Sequence, residues 1–113
     1  MRHRDSVTLR KILVAIDEAT EILVNVSKDE FLKNNTQKLA MSMSIIRVGE
    51  LVKALTDEFR KQNSQVQWRD ITGFRDVAAY KYDIIDMNEV YDTIKNDFPE
   101  LKAQLEKILE NEI

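Results

Sequence analysis

Apolar residues recur at three- and four-residue steps along most of the chain, the spacing that gathers them on one side of an α-helix. Leu9, Ile12, Leu13, Ile16, Ala19, Leu23 and Val26 carry the first such rhythm. They predict an amphipathic helix over about residues 5–25, with Asp5 as its N-cap. Ser27 and Glu30 have capping-box spacing and predict a short helical turn, which the KNN sequence then interrupts. Ile45, Val48, Val52, Leu55 and Phe59 form the next seam, widened by Met41, Ile46 and Leu51. The seam predicts one helix over about 35–62, ended by QNSQ, and a third helix is expected over about 68–80. Asp86 and Glu89 repeat the capping-box spacing ahead of DMNEVYDTIKND. Pro99 suits the first turn of a last helix, whose apolar face is Leu101, Leu105, Ile108 and Leu109.

No stretch alternates apolar and polar residues as a strand would, and two glycines and one proline leave little punctuation. The pattern therefore predicts an all-α, up-and-down bundle of four to five helices. At 113 residues the chain has the size of one domain, 1–113, with no internal repeat, low-complexity tract or linker. A chain of this length can bury roughly two-thirds of its unfolded surface without covalent staples. Its 43% hydrophobic content supplies the means.

The inventory of chemical groups excludes several function classes. There is no cysteine, so disulfides, thiol catalysis and cysteine-based zinc sites are ruled out. The one histidine, His3, stands near the start, which leaves nothing from which to build a Ser-His-Asp arrangement. No carboxylate pair has the histidine partner that metal sites in bundles use, and no glycine-rich phosphate loop is present, so no metal or other cofactor is expected. Acidic residues such as Asp17, Glu18 and Glu21 read as a solvated helix face. The net charge of −3 is the wrong sign for a general nucleic-acid coat or a polybasic membrane anchor. Any nucleic-acid contact must come from a local basic cluster. No apolar run approaches the ~20 residues needed to span a bilayer, so no membrane contact and a cytoplasmic location are expected.

One stretch departs from this ordinary pattern: WRDITGFRDVAAYKYDIID, Trp68 to Asp86. Arg69, Arg75, Lys81, Tyr80 and Tyr82 put three cations and two phenols on one helix and its exit. Arg75 could hold a phosphate through two nitrogens, with Lys81 adding a point charge. The plainer alternative pairs Arg75 with Asp70 or Asp76 and packs the tyrosines as amphipathic wedges. On residue pattern alone the plainer alternative is the commoner outcome, and both stay open.

The stretch also resembles a known family. Together with RDSVTLRKILVAIDEA, IIRVGELVKAL and the tail VYDTIKNDFPELKAQLEKIL, it is similar to HepT-like members of the HEPN superfamily. These are the helical toxins of HEPN–nucleotidyltransferase toxin–antitoxin pairs, and the resemblance covers nearly the whole chain. The family motif is Arg, four variable residues, His, one residue, Tyr. Here the Arg is Arg75, the closing Tyr is Tyr82, and Asp76 stands where the family has a polar Asn or Asp. Trp68, Gly73, Phe74, Arg75 and Tyr82 align without a gap, which puts Tyr80 at the histidine position.

The resemblance implies a HEPN-like bundle acting as a metal-independent ribonuclease, a symmetric homodimer whose two motif helices meet in an RNA-binding groove. Arg75 would bind the scissile phosphate, with Arg69 and Lys81 as further phosphate contacts. Tyr82 matches the family tyrosine that a cognate nucleotidyltransferase antitoxin modifies with AMP. The family histidine shuttles protons, and Tyr80 takes its place among the catalytic positions. A histidine titrates near 6.5 and a tyrosine near 10, so only about one phenol in a thousand is ionised at pH 7. Tyr80 can donate a hydrogen bond or serve as a weak acid beside Arg75, but it is poorly suited to be a base. The expected function is thus a HEPN-type ribonuclease toxin, impaired or altered at Tyr80. The alternative is a non-catalytic dimeric helical module that binds a nucleotidyltransferase antitoxin or RNA.

Overall fold

A computed structural model describes residues 1–112. The apolar seams of the sequence become four principal elements joined by short capped helices. α1 (His3–Ile22) buries Leu9, Ile12, Ile16 and Ala19. α2 (Lys28–Leu32) is opened by the expected capping box, in which Ser27 Oγ accepts from the Glu30 N–H and the Glu30 carboxylate accepts from the Ser27 N–H. That second bond, to the Ser27 backbone, is the main reason the Glu30 carboxyl titrates below its ordinary range. Asn34 caps α3 (Asn35–Ala54) through Gln37 N–H.

The single helix expected over about 35–62 is in fact two. α3 stops at Ala54, Leu55 and Thr56 are extended, and α4 (Asp57–Gln62) starts afresh with Thr56 as its N-cap. The cause lies 51 residues away in sequence. Asp5, only 1% exposed, accepts from Thr56 N–H at 2.9 Å and from Thr56 Oγ1 at 2.7 Å. This corrects the expected role of Asp5: Arg2 takes the N-cap position of α1, and the Asp5 carboxylate serves the α3–α4 junction instead. Leu55 and Phe59 stay buried across the break, so the apolar spacing alone does not reveal it.

α5 (Trp68–Tyr80) has the boundaries expected of it. α6 (Met87–Asp92) begins at Asp86, whose carboxylate accepts from the Asn88 backbone N–H and from Asn88 Nδ2. The expected reciprocal bond from Glu89 is not formed among the described residues, so Asp86 is a cap but not half of a capping box. α6 then runs without a gap through a π-helical turn, Thr93–Asp97, into α7 (Phe98–Glu110). Pro99 stands in the first turn of this last helix, as expected. Pro99 has no N–H, and its ring crowds the carbonyl one turn back, which disfavours a regular α ladder here. The chain adopts the wider turn instead, with Phe98 N–H donating to Thr93 O.

α3 is the central helix, packed on α1 along one side and on α5 along the other, while α7 closes against α1. One contiguous apolar core runs through all of these elements, within a body of 44 × 29 × 20 Å. The carbonyls at the end of α1 are satisfied from the far side of the bundle: Lys95 Nζ donates to Leu23 O and the Tyr91 hydroxyl to Val26 O, each at 2.6 Å. Together these contacts make an all-α bundle, and no described helix is long and apolar enough to cross a membrane.

Candidate functional site

The position of α5 is fixed at its first residue. Trp68 is buried, its ring lies tilted on Phe59 at 6.1 Å between centroids, and its indole N–H donates to Asn63 O at 3.0 Å. From that anchor the helix crosses α3 so closely that Gly49 faces the stem of Arg75. A Cβ placed on Gly49 would fall well inside contact distance of Arg75 Cβ and Cγ. Gly49 therefore allows the crossing and lays the Arg75 side chain along α3.

Only 12% of the Arg75 side chain is exposed. Its Nη2 pairs with the Glu50 carboxylate, and its Nη1 donates to Asp76 Oδ1 at 3.1 Å. The same Asp76 oxygen accepts from Lys53 Nζ at 2.8 Å. Arg75 Nε is buried and has no hydrogen-bond partner among the described residues. The Tyr80 ring covers the guanidinium, 5.3 Å from Cζ to centroid, in cation–π geometry. Tyr80 first, and then Asp76, hold the guanidinium pKa above its ordinary value, so Arg75 is charged at every working pH. Lys53 first, and then Arg75, hold the Asp76 carboxyl below its ordinary range. Two cations and two anions thus interlock, Lys53–Asp76–Arg75–Glu50, with Tyr80 as their lid.

α5 ends at Tyr80, where the Lys81 N–H closes the last turn on Val77 O. Ile85 is buried and pins the exit, which leaves Tyr80 74% and Tyr82 69% exposed. The tyrosines are therefore not the packed wedges of the plainer sequence alternative. The other half of that alternative is realised, since Arg75 does pair with Asp76. Tyr80 covers the Arg75 guanidinium, and Lys81 and Tyr82 follow it on the α5 exit. Arg69 does not join them: it lines a separate hollow with Gly73 and Val77, facing Glu89 and Asp92 on α6. The sequence reading missed Gly49, Glu50 and Lys53, all in the central helix. A lone glycine inside an apolar helical pattern was the available signal for a close crossing there.

A cavity of about 280 Å³ lies between α3, α5 and α7, with Val48, Phe74 and Phe98 in its walls and Asp97 at its rim; none of Arg75, Tyr80 and Tyr82 lines it. Burial, and then repulsion from Glu100 and Asp92, push the Asp97 carboxyl above its ordinary pKa. The motif side chains instead form an open surface site. Its chemistry is that of a fixed, permanently charged guanidinium beside the Tyr80 phenol, Lys53 and the half-exposed Glu50 and Asp76 carboxylates, an arrangement suited to a phosphate on a polymer lying across it.

The family described as Ribonuclease HepT-like matches residues 12–108. A protein of Caldanaerobacter subterraneus subsp. tengcongensis, named "Putative RNase TTE0752", is 33% identical over 104 residues, covering 92% of this chain and 93% of that protein. A "Probable ribonuclease HepT" of Thermococcus cleftensis is 26% identical over 106 residues, 94% of each chain. No solved structure matches. With almost the whole helical core inside the match, this chain belongs to the HepT-like ribonuclease family of the HEPN superfamily.

Proposed function

We propose that this protein is the ribonuclease toxin of a toxin–antitoxin pair, cleaving RNA without a metal ion and at a rate lowered by Tyr80. The observation that carries this reading is Arg75, immobilised by Gly49, Glu50 and Asp76 and covered by the exposed Tyr80, with Tyr82 exposed two residues on. Arg75 would bind the scissile phosphate and stabilise the charge that grows on it. Tyr80 would stand by the leaving oxygen as a proton donor, a task a phenol performs better than proton abstraction.

The same reading makes the working form a symmetric homodimer in the cytoplasm. One copy presents a nearly charge-balanced site, and a second motif helix alongside would bring another Arg75 and Lys81 to the RNA. Exposed apolar side chains at the site's edge, Ile84 on the α5 exit besides the two tyrosines, suit such a contact. The exposure of Tyr82 also suits modification with AMP by a cognate nucleotidyltransferase antitoxin, which would add bulk and negative charge at the mouth of the groove. A second reading, a non-catalytic dimeric module that binds the antitoxin or RNA, is favoured by one observation: the single histidine of the sequence, His3, lies outside the motif.

Cleavage of RNA in the presence of EDTA should separate the two readings. Weak cleavage is expected from the protein itself, stronger cleavage from Tyr80→His and none from Arg75→Ala. A folded Tyr80→His variant that neither cleaves RNA nor harms its host would overturn the toxin reading and leave the binding module.

A further inference from the structure

We propose that Glu50 is the general base of the reaction, in the role that a histidine at position 80 would otherwise fill; this rests on the ribonuclease reading above. The argument starts from how Arg75 is occupied. Both terminal nitrogens already hold carboxylates, Glu50 on Nη2 and Asp76 on Nη1, and Nε is sealed against the protein. Each terminal nitrogen carries two N–H groups, so a phosphate can take the remaining one from each and lie between the two carboxylates. Asp76 is held twice, by Arg75 and by Lys53, whereas Glu50 has only Arg75 among the described residues. Glu50 is also half-exposed, with 51% of its side chain in solvent. It is the carboxylate freer to turn toward a substrate.

Glu50 is carried on the central helix next to Gly49, the point where α3 touches Arg75, so its carboxylate lies beside a phosphate bound to that guanidinium. A carboxylate is ionised at neutral pH and can accept a proton there, while a phenol keeps its proton until near pH 10. The two groups at Arg75 therefore divide the work. Glu50 takes the proton from the ribose 2′-hydroxyl, the 2′-oxygen forms a bond to phosphorus, and the bond from phosphorus to the 5′-oxygen breaks. The departing electron pair stays on the 5′-oxygen, which receives the Tyr80 proton. The products are a 2′,3′-cyclic phosphate and a 5′-hydroxyl, and Glu50 returns its proton through water to Tyr80. No oxidant, metal or further reactant enters.

A carboxylate that merely neutralises Arg75 predicts different kinetics. The test is steady-state cleavage of a fluorogenic oligoribonucleotide by the intact protein and its Glu50→Gln and Glu50→Asp variants, from pH 4.5 to 8. As the base, Glu50 should show a kcat loss of about 100-fold or more in Glu50→Gln, in line with general-base contributions, with KM unchanged or lower because an anion has left the phosphate site. The fall in kcat/KM on the acid side should vanish in that variant, and Glu50→Asp should keep part of the activity and the acid limb. If Glu50→Gln keeps or raises kcat, Glu50 is only a counter-charge and the proposal falls, while the ribonuclease reading stands. Cleavage by Tyr80→His but none by the protein itself overturns Glu50 as base, since histidine would then be the only base. Absence of cleavage from both overturns the ribonuclease reading and Glu50 with it.

Discussion

Gly49 offers the sharpest test of how the site is assembled, because the chain contains its own control. Both glycines lie in helices, and neither needs a left-handed backbone. Alanine should therefore give each helix the same gain, about 1 kcal/mol, the usual difference in helix propensity. The surroundings differ. A Cβ on Gly73 meets nothing within 4 Å, whereas one on Gly49 collides with Arg75 Cβ and Cγ, atoms too near the backbone to move without shifting α5. Overpacking of this kind costs about 1–3 kcal/mol. Gly73→Ala should thus stabilise the protein by about 1 kcal/mol. Gly49→Ala should fall below it by about 1–3 kcal/mol, the steric part alone, since propensity cancels in the comparison. Urea unfolding of the two variants beside the parent measures this directly, and in a domain of this size the gap corresponds to roughly 4–8 °C in Tm per kcal/mol. Gly49→Ala should also weaken RNA cleavage by displacing Arg75. Equal stabilisation by both alanines would refute the close α3–α5 crossing, and with it the account of how Arg75 is held.

Other substitutions address the frame around the site. Asp5→Ala strands the Thr56 N–H and hydroxyl, and should cost about 3 kcal/mol in chemical denaturation, as hydrogen bonds to a charged group typically contribute ~1.5–3 kcal/mol each; a loss under ~1 kcal/mol would show that the junction is wet. Ser27→Ala removes one arm of the α2 capping box and should cost about 1 kcal/mol by the same measurement. Asp97→Asn should reveal a pH dependence. The Asp97 carboxyl is raised in the folded chain above its ordinary 3.8, so its ionised form opposes folding, an effect absent below 3.8 and complete above the raised pKa. The asparagine variant should therefore be more stable than the parent at pH 7 and indistinguishable from it at pH 3; the reverse order would show that Asp97 gains a cationic partner.

Much of this architecture is legible in the sequence because it is locally determined. The α2 box needs only Ser27 and Glu30, and the limits of α5 follow from its own apolar spacing and from Trp68 at its start. What the pattern hides is set from a distance. Val52, Leu55 and Phe59 keep helical spacing across the α3–α4 break because burial persists there, while the break itself is dictated by Asp5. The joining of α6 to α7 depends on whether the chain can absorb Pro99 in a wider turn, which spacing does not encode. At the site, the motif side chains Arg75, Asp76 and Tyr80 do come together around the guanidinium, while Tyr82 is exposed on the α5 exit. Their partners Glu50 and Lys53 carry no local signal, because no local rule links them to α5.

The contact between Asp5 and Thr56 also bears on the order of folding events. Closing a loop of 51 residues costs about 3.5 kcal/mol in chain entropy, roughly what two charge-assisted hydrogen bonds return. The contact cannot nucleate anything by itself, and during synthesis Asp5 stays hydrated until Thr56 has emerged and α1 has packed on α3. We propose that a contact closing so long a loop forms after the transition state; its loss should then accelerate unfolding and leave the folding rate almost unchanged, which the two arms of a chevron for Asp5→Ala would measure. Asp5 would then act on how long the native bundle persists once formed.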